Sequence, residues 1–215
     1  MNTLKINGAI YRNSLLDIPC SYNELTEFLK QQKLSFDSTR TMEKFPAPSF
    51  TMTFYRFIME NDKIPTQTEF CEYFVNSVPN KEHITAKSKS WASSQSEIET
   101  GLKARAARTY PSLIRDLAFS MMLKDSGYDT FWNPEVDVDC KADMVINYND
   151  TLYGIAMYTD TKLGNSNRAR KLDETEMPSE LTKIELPLNL SSGEKVGDFL
   201  MYGVRHKEKL LTMLA

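Results

Sequence analysis

The sequence predicts an α/β protein, with a helical N-terminal part followed by a small mixed β-sheet flanked by helices. Three observations carry this. Before residue 96, capping patterns introduce segments whose apolar residues recur at helical spacing. After it, short apolar and alternating segments appear between two helical stretches. The order there is helix, strand, hairpin, loop, strand, helix, an α/β pattern with a mixed sheet. The expected parts are 1–96, mainly helical with an initial β-hairpin, and 97–215, the α/β core.

In "LKINGAIYR", Asn7-Gly8 tolerates positive φ at both turn positions and predicts a two-residue hairpin. Ser21 and Glu24 form a capping-box pattern that starts a short helix, with Leu25, Phe28 and Leu29 as its apolar stripe. A second helix is expected over Phe50 to Asn61, and a third after the Thr66/Glu69 box. That helical pair has the spacing of a helix-turn-helix. Its second helix has no Arg or Lys to reach DNA, so Phe70, Tyr73 and Phe74 are read as packing residues. The serine-rich stretch from Lys81 to Ser96 reads as a loop or linker.

Pro111 is expected in the first turn of a helix whose apolar face holds Leu113, Ile114, Leu117 and Met121, with Gly127 as its stop. Lys103, Arg105, Arg108 and Arg115 fall in a stretch with no acid. They form either a solvated face or a phosphate-contacting one. A second acid-free group, Lys162, Arg168, Arg170 and Lys171, sits on a Gly/Asn/Ser-rich segment suited to gripping phosphates. Asp173, Glu174, Glu176 and Glu180 could instead fold back on it. The tail offers a strand in "TKIELPLNL", a turn at Ser191-Ser192-Gly193, an apolar segment "DFLMY" and a terminal helix.

The 215 residues are 41% apolar and 26% charged, enough for a packed core. A net charge of −3 requires any nucleic-acid contact to be local. No apolar run reaches the roughly 18 residues that span a bilayer, and "MNTLKINGAI" lacks a signal pattern, so a cytoplasmic protein without membrane contact is expected. Cys20, Cys71 and Cys140 are widely spaced and His83 and His206 lie far apart, which disfavours a zinc ribbon. A metal would have to be held by carboxylates, which suits Mg²⁺ or Mn²⁺.

In "KADMVINYNDTLYGIAMYTDTK", Met144 to Asn147 reads as a strand, Asn149-Asp150 as a turn, and Leu152 to Lys162 as an alternating strand. Asp143 followed by Asp160-x-Lys162 resembles the PD-(D/E)XK signature of the restriction-endonuclease-like nuclease superfamily, over roughly residues 97–190. The resemblance implies a mixed sheet flanked by helices. It also implies a first carboxylate opening one strand of a hairpin, with a second acid and a lysine two residues apart on the partner strand. Asp143, Asp160 and Lys162 would then be catalytic, with Asp143, Asp160 and the helical Asp116 holding Mg²⁺ or Mn²⁺. Arg105, Arg108, Arg115, Lys162, Arg168, Arg170 and Lys171 would bind DNA.

Strand register offers a competing expectation. A turn centred on Asn149-Asp150 sets Asp143 opposite residue 156. The superfamily's acid and lysine would then belong near Ile155 and Met157, and Asp160 would lie about 13 Å further on at ~3.3 Å per residue. A wider loop or a bulge would bring Asp160 back, and Lys141 offers another lysine. Three outcomes stay open: a metal-dependent endonuclease; a catalytically inactive nuclease-like subunit that binds DNA, a protein partner or a second copy of itself; or an interaction protein unrelated to nucleic acid.

Overall fold

The computed structural model describes residues 1–37, 40–160 and 177–214. In chain order these contain β1 (Thr3–Ile6), β2 (Ala9–Arg12), α1 (Tyr22–Lys30), α2 (Phe50–Asn61), α3 (Gln67–Asn76), α4 (Val78–Ser88) and α5 (Gln95–Asp125). Then follow β3 (Asp129–Phe131), α6 (Pro134–Cys140), β4 (Met144–Tyr148), β5 (Thr151–Thr159), β6 (Thr182–Leu188), β7 (Glu194–Val196), β8 (Phe199–Met201) and α7 (Val204–Leu214). The chain divides into two compact units, Met1–Lys30 with Arg115–Ala215, and Gln31–Ile114. The first hairpin and α1 thus group with the α/β part, and the division falls within α5 rather than at residue 96.

In the helical unit the expected Thr66/Glu69 box forms, and α2 has a cap of its own that was not expected. The Ser49 hydroxyl accepts the Met52 N–H at the start of α2, and Thr66 and Glu69 complete a capping box on α3. Phe54, Phe70, Phe74 and Tyr110 are buried together, with Phe54 and Phe70 edge to face at 5.7 Å. The Tyr110 hydroxyl donates to the Pro65 carbonyl at 2.6 Å, so the ring is buried without orphaning its polar end.

Two sequence expectations are corrected here. The stretch expected as a loop from Lys81 to Ser96 is largely helical, because α4 runs to Ser88 and α5 begins at Gln95. Pro79 lies in the first turn of α4, whose inward residues Asn80 and Ile84 are spaced i, i+4. The polar letters belong to its outer face.

Pro111 is the second correction, since it lies inside α5 rather than in a first turn. Proline has no N–H, so the carbonyl four residues back, that of Ala107, loses its helical donor. Gln67 supplies one instead: its Nε2–H donates to the Ala107 oxygen at 2.9 Å. The Gln67 Oε1 in turn accepts the Ser35 N–H at 2.8 Å. Only 5% of Gln67 is exposed, so water does not readily replace it.

In the α/β unit, the described residues form a four-stranded sheet of order β3-β4-β5-β6. β3, β4 and β5 run antiparallel in sequence, and β5 pairs parallel with β6, giving the mixed sheet. One face packs Met144, Ile146, Ile155, Ile184 and Leu186 against Phe119 and Leu123 of α5 and Leu210 and Leu214 of α7. The other places Val145 with Leu4 and Ile6 of β1 and with Val136 and Cys140 of α6. This is the alternation a two-residue strand period demands of a sheet covered on both sides. The segment "DFLMY" contributes β8, which pairs with β7 as a hairpin.

His206 anchors the start of α7. It is 3% exposed; its Nδ1 accepts the Gly203 N–H at 3.1 Å, and its Nε2 lies 3.3 Å from the Asn189 carbonyl and 3.2 Å from the Ser192 hydroxyl. With Nδ1 accepting, the hydrogen of the neutral ring resides on Nε2. Burial lowers the His206 pKa, outweighing the Asn189 carbonyl and Glu194 that raise it.

Two outcomes are expected. Gln67→Leu leaves the Ala107 carbonyl and Ser35 N–H without their partner and lowers stability by about 1–3 kcal/mol in urea unfolding. A midpoint unchanged from wild type would disprove the compensation. Because the folded His206 pKa lies below the unfolded value of about 6.5, its contribution is complete above that pH and declines as pH falls below it. Thermal melts from pH 7 to pH 5 should show this loss, and His206→Gln should flatten it.

Candidate functional site

The site is built on the β4–β5 hairpin. Asn149 and Asp150 both adopt left-handed backbone, φ 50° and 60°, as a two-residue turn requires. Tyr148 pairs with Thr151 across it, and the ladder continues to Met144 opposite Ile155. One step further, Asp143 stands opposite Ala156.

Asp143 is tied to this ladder by both its backbone and its side chain. Its N–H donates to the Ile155 carbonyl at 2.9 Å, while its carboxylate accepts the Met157 N–H. The side chain therefore takes the place of a ladder carbonyl just before β4. A charged acceptor makes such a bond stronger than a neutral one. The two positions where the nuclease signature needs an acid and a lysine hold Ile155 and Met157. Ile155 is fully buried, and Met157 packs on the same core as Phe119 and Tyr202.

Asp160 is exposed and follows the last residue of β5, four positions beyond Ala156, or about 13 Å along the strand at ~3.3 Å per residue. A shared ion needs oxygens within about 2.6 Å of it, so Asp143 and Asp160 are not placed as one ligand set along this strand. Asp116, on α5, and Asp143 both act on Tyr202. Burial raises the Tyr202 hydroxyl pKa first, and the charges of Asp116 and then Asp143 push it further up. Arg115 opposes them, with its guanidinium 5.5 Å from the Tyr202 ring centre and its Nε–H donating to the Leu200 carbonyl at 2.8 Å. Tyr202 is a site neighbour that no sequence motif marks.

The site thus holds two carboxylates, a buried phenol and an internally engaged arginine. Among the described residues no group of three or more His, Cys, Asp or Glu side chains is arranged to hold a metal ion. The donor set Asp116, Asp143 and Asp160 does not fit a common Mg²⁺ or Mn²⁺ centre.

The first basic group is engaged within the fold. Arg105 donates to the carbonyls of Met42 at 3.3 Å and Phe45 at 3.0 Å, and its guanidinium lies 5.2 Å from the Phe50 ring centre. Arg108 donates to the Asp37 carbonyl at 3.1 Å and pairs with the Glu43 carboxylate. Lys103 pairs with Glu72 at 2.7 Å, and Arg115 is only 9% exposed. The partners Glu43 and Glu72 lie far off in sequence, which is why the stretch looked acid-free. Lys162, Arg168, Arg170 and Lys171 lie outside the described residues. Sequence reasoning placed the lysines of α4 in a loop, although Asn80 and Ile84 at i, i+4 behind Pro79 carried the helical signal.

Comparison with protein-family models, curated proteins and solved structures yields no match for this chain. No helix among the described residues is long and apolar enough to cross a membrane.

Asp143→Ala removes the acceptor of the Met157 N–H and should cost about 1–3 kcal/mol in urea unfolding. Asp143→Asn keeps an oxygen acceptor and should recover most of that loss. Equal losses in both variants would assign the effect to charge rather than to the hydrogen bond.

Proposed function

We propose that this chain is a DNA-binding protein with a nuclease-like α/β core that does not hydrolyse phosphodiesters. The observation that carries the reading is the hairpin register. A carboxylate stands before one strand, as in the superfamily, but its partner strand presents Ile155 and Met157 where hydrolysis would need an acid and a lysine. The mixed sheet with helices against it supports the kinship of scaffold.

The loss of hydrolysis follows from the chemistry. Nuclease chemistry of this type uses two carboxylates to hold an ion that neutralises phosphate and activates water. Here one carboxylate accepts a backbone N–H, and the next acid, Asp160, follows the end of the partner strand, four positions beyond Ala156. What remains is a scaffold able to present cationic side chains to a phosphate backbone, whose affinity must weaken as salt rises.

The test is incubation with single- and double-stranded DNA in Mg²⁺ or Mn²⁺, beside Asp143→Asn. No cleavage above background by either protein is expected. Cleavage by the wild type that Asp143→Asn abolishes would overturn the proposal and establish a metal-dependent endodeoxyribonuclease.

A further inference from the structure

We infer that the outer face of α4 is a contact surface for the phosphate backbone of duplex DNA. This rests on the DNA-binding reading above and names where in the helical unit the contact is made. Lys81, Thr85 and Lys89 follow one another at i, i+4 and i+8 along this face, while Lys87 lies off it, next to the inward Asn80 and Ile84. All are exposed. Lys81 and Lys89 stand roughly 12 Å apart along the axis, at 1.5 Å per residue. Between them is a shallow hollow of about 320 Å³ lined by Lys81, Glu82, Thr85, Ala86 and Lys89. Thr85 adds a hydroxyl donor, and the small Ala86 side chain lets a backbone come close.

The charges on this face differ from those on α5. Lys103 and Arg108 are paired with Glu72 and Glu43, and Lys63 with Glu69. Among the described residues no carboxylate pairs with Lys81, Lys87 or Lys89. Helix stability explains part of the pattern, because cations in a last turn complement the helix dipole. That accounts for Lys87 and Lys89. It does not account for Lys81, which sits near the start of the helix, where a cation opposes the dipole.

The inner face of α4 is firmly held, so the lysines project from a fixed platform. Asn80 is 3% exposed and donates to the Thr53 hydroxyl at 3.0 Å and the Phe74 carbonyl at 2.8 Å. His83 Nε2 lies 2.7 Å from the Pro46 carbonyl. Beyond the helix, the Trp91 N–H donates to the Ser88 carbonyl at 2.9 Å, and its ring packs edge to face on Phe45 at 5.3 Å. Phosphate contacts need this kind of positioning but carry no sequence information, so the surface suits DNA of any sequence.

The test is fluorescence anisotropy of a labelled mixed-sequence duplex, titrated with the full chain over a range of salt. Lys81→Gln/Lys89→Gln should bind about fivefold more weakly at low salt, and its log–log salt slope should be shallower by about 2, near 0.9 for each lost phosphate contact. Glu82→Lys, which removes the one acid lining the hollow, should bind about threefold more tightly at low salt. Salt-dependent binding by the wild type that neither variant alters would overturn the α4 assignment and leave the DNA-binding reading standing. Absence of salt-dependent binding by the wild type would overturn both.

Discussion

Two consecutive left-handed residues, Asn149 and Asp150, constrain the geometry on which the α/β unit depends. A two-residue turn admits one register, and a slip of one residue would turn every side chain of a strand to the opposite face. With Tyr148 paired to Thr151, Ile146 and Ile155 must enter the core beneath α5 and α7 while Val145 enters the core beside β1 and α6. The same constraint sets Asp143 beside Ile155 and Met157 and leaves Asp160 beyond the strand. Core packing and the fate of the acidic residues are therefore one decision. Moving an acid into the position of Ile155 would bury a charge among apolar side chains, which is costly without a partner.

The distribution of positive charge follows a different logic. A net charge of −3 supplies enough acids to pair with the cations of α5, and the fold uses them for that purpose. Arg105 and Arg115 go further and serve as donors to backbone carbonyls that would otherwise be left short. Arginine suits this, because its several donors and planar head can bond a carbonyl and lie over an aromatic ring together. The lysines of α4 make no such bonds to carboxylates or carbonyls among the described residues.

Much of the scaffold was legible in the sequence where the signal was local. The boundaries of α2 followed from its apolar pattern, the start of α3 from Thr66 and Glu69, and the register at Asp143 from Asn149-Asp150. What escaped was non-local or read against the wrong background. α4 looked like a linker because its solvent face dominates its composition. The arginines of α5 looked available because Glu43 and Glu72 are distant in sequence. Tyr202 could not be linked to Asp116 and Asp143, since only the packing of β8 and α7 brings it there. The letters Asp160-x-Lys162 spelled a motif whose meaning depended on a count of ladder positions, not on spelling.

The bond from Gln67 to the Ala107 carbonyl has a consequence for how the helical unit assembles. A helix is ordinarily the most self-sufficient element of a chain, since each of its bonds spans four residues. In α5 one rung is filled from a residue 40 positions away. The middle of α5 is therefore completed only when α3 arrives, which turns a local element into a late, cooperative one. An excised α5 peptide would fray at Ala107, and natural exchange of Pro111 would release Gln67 to vary.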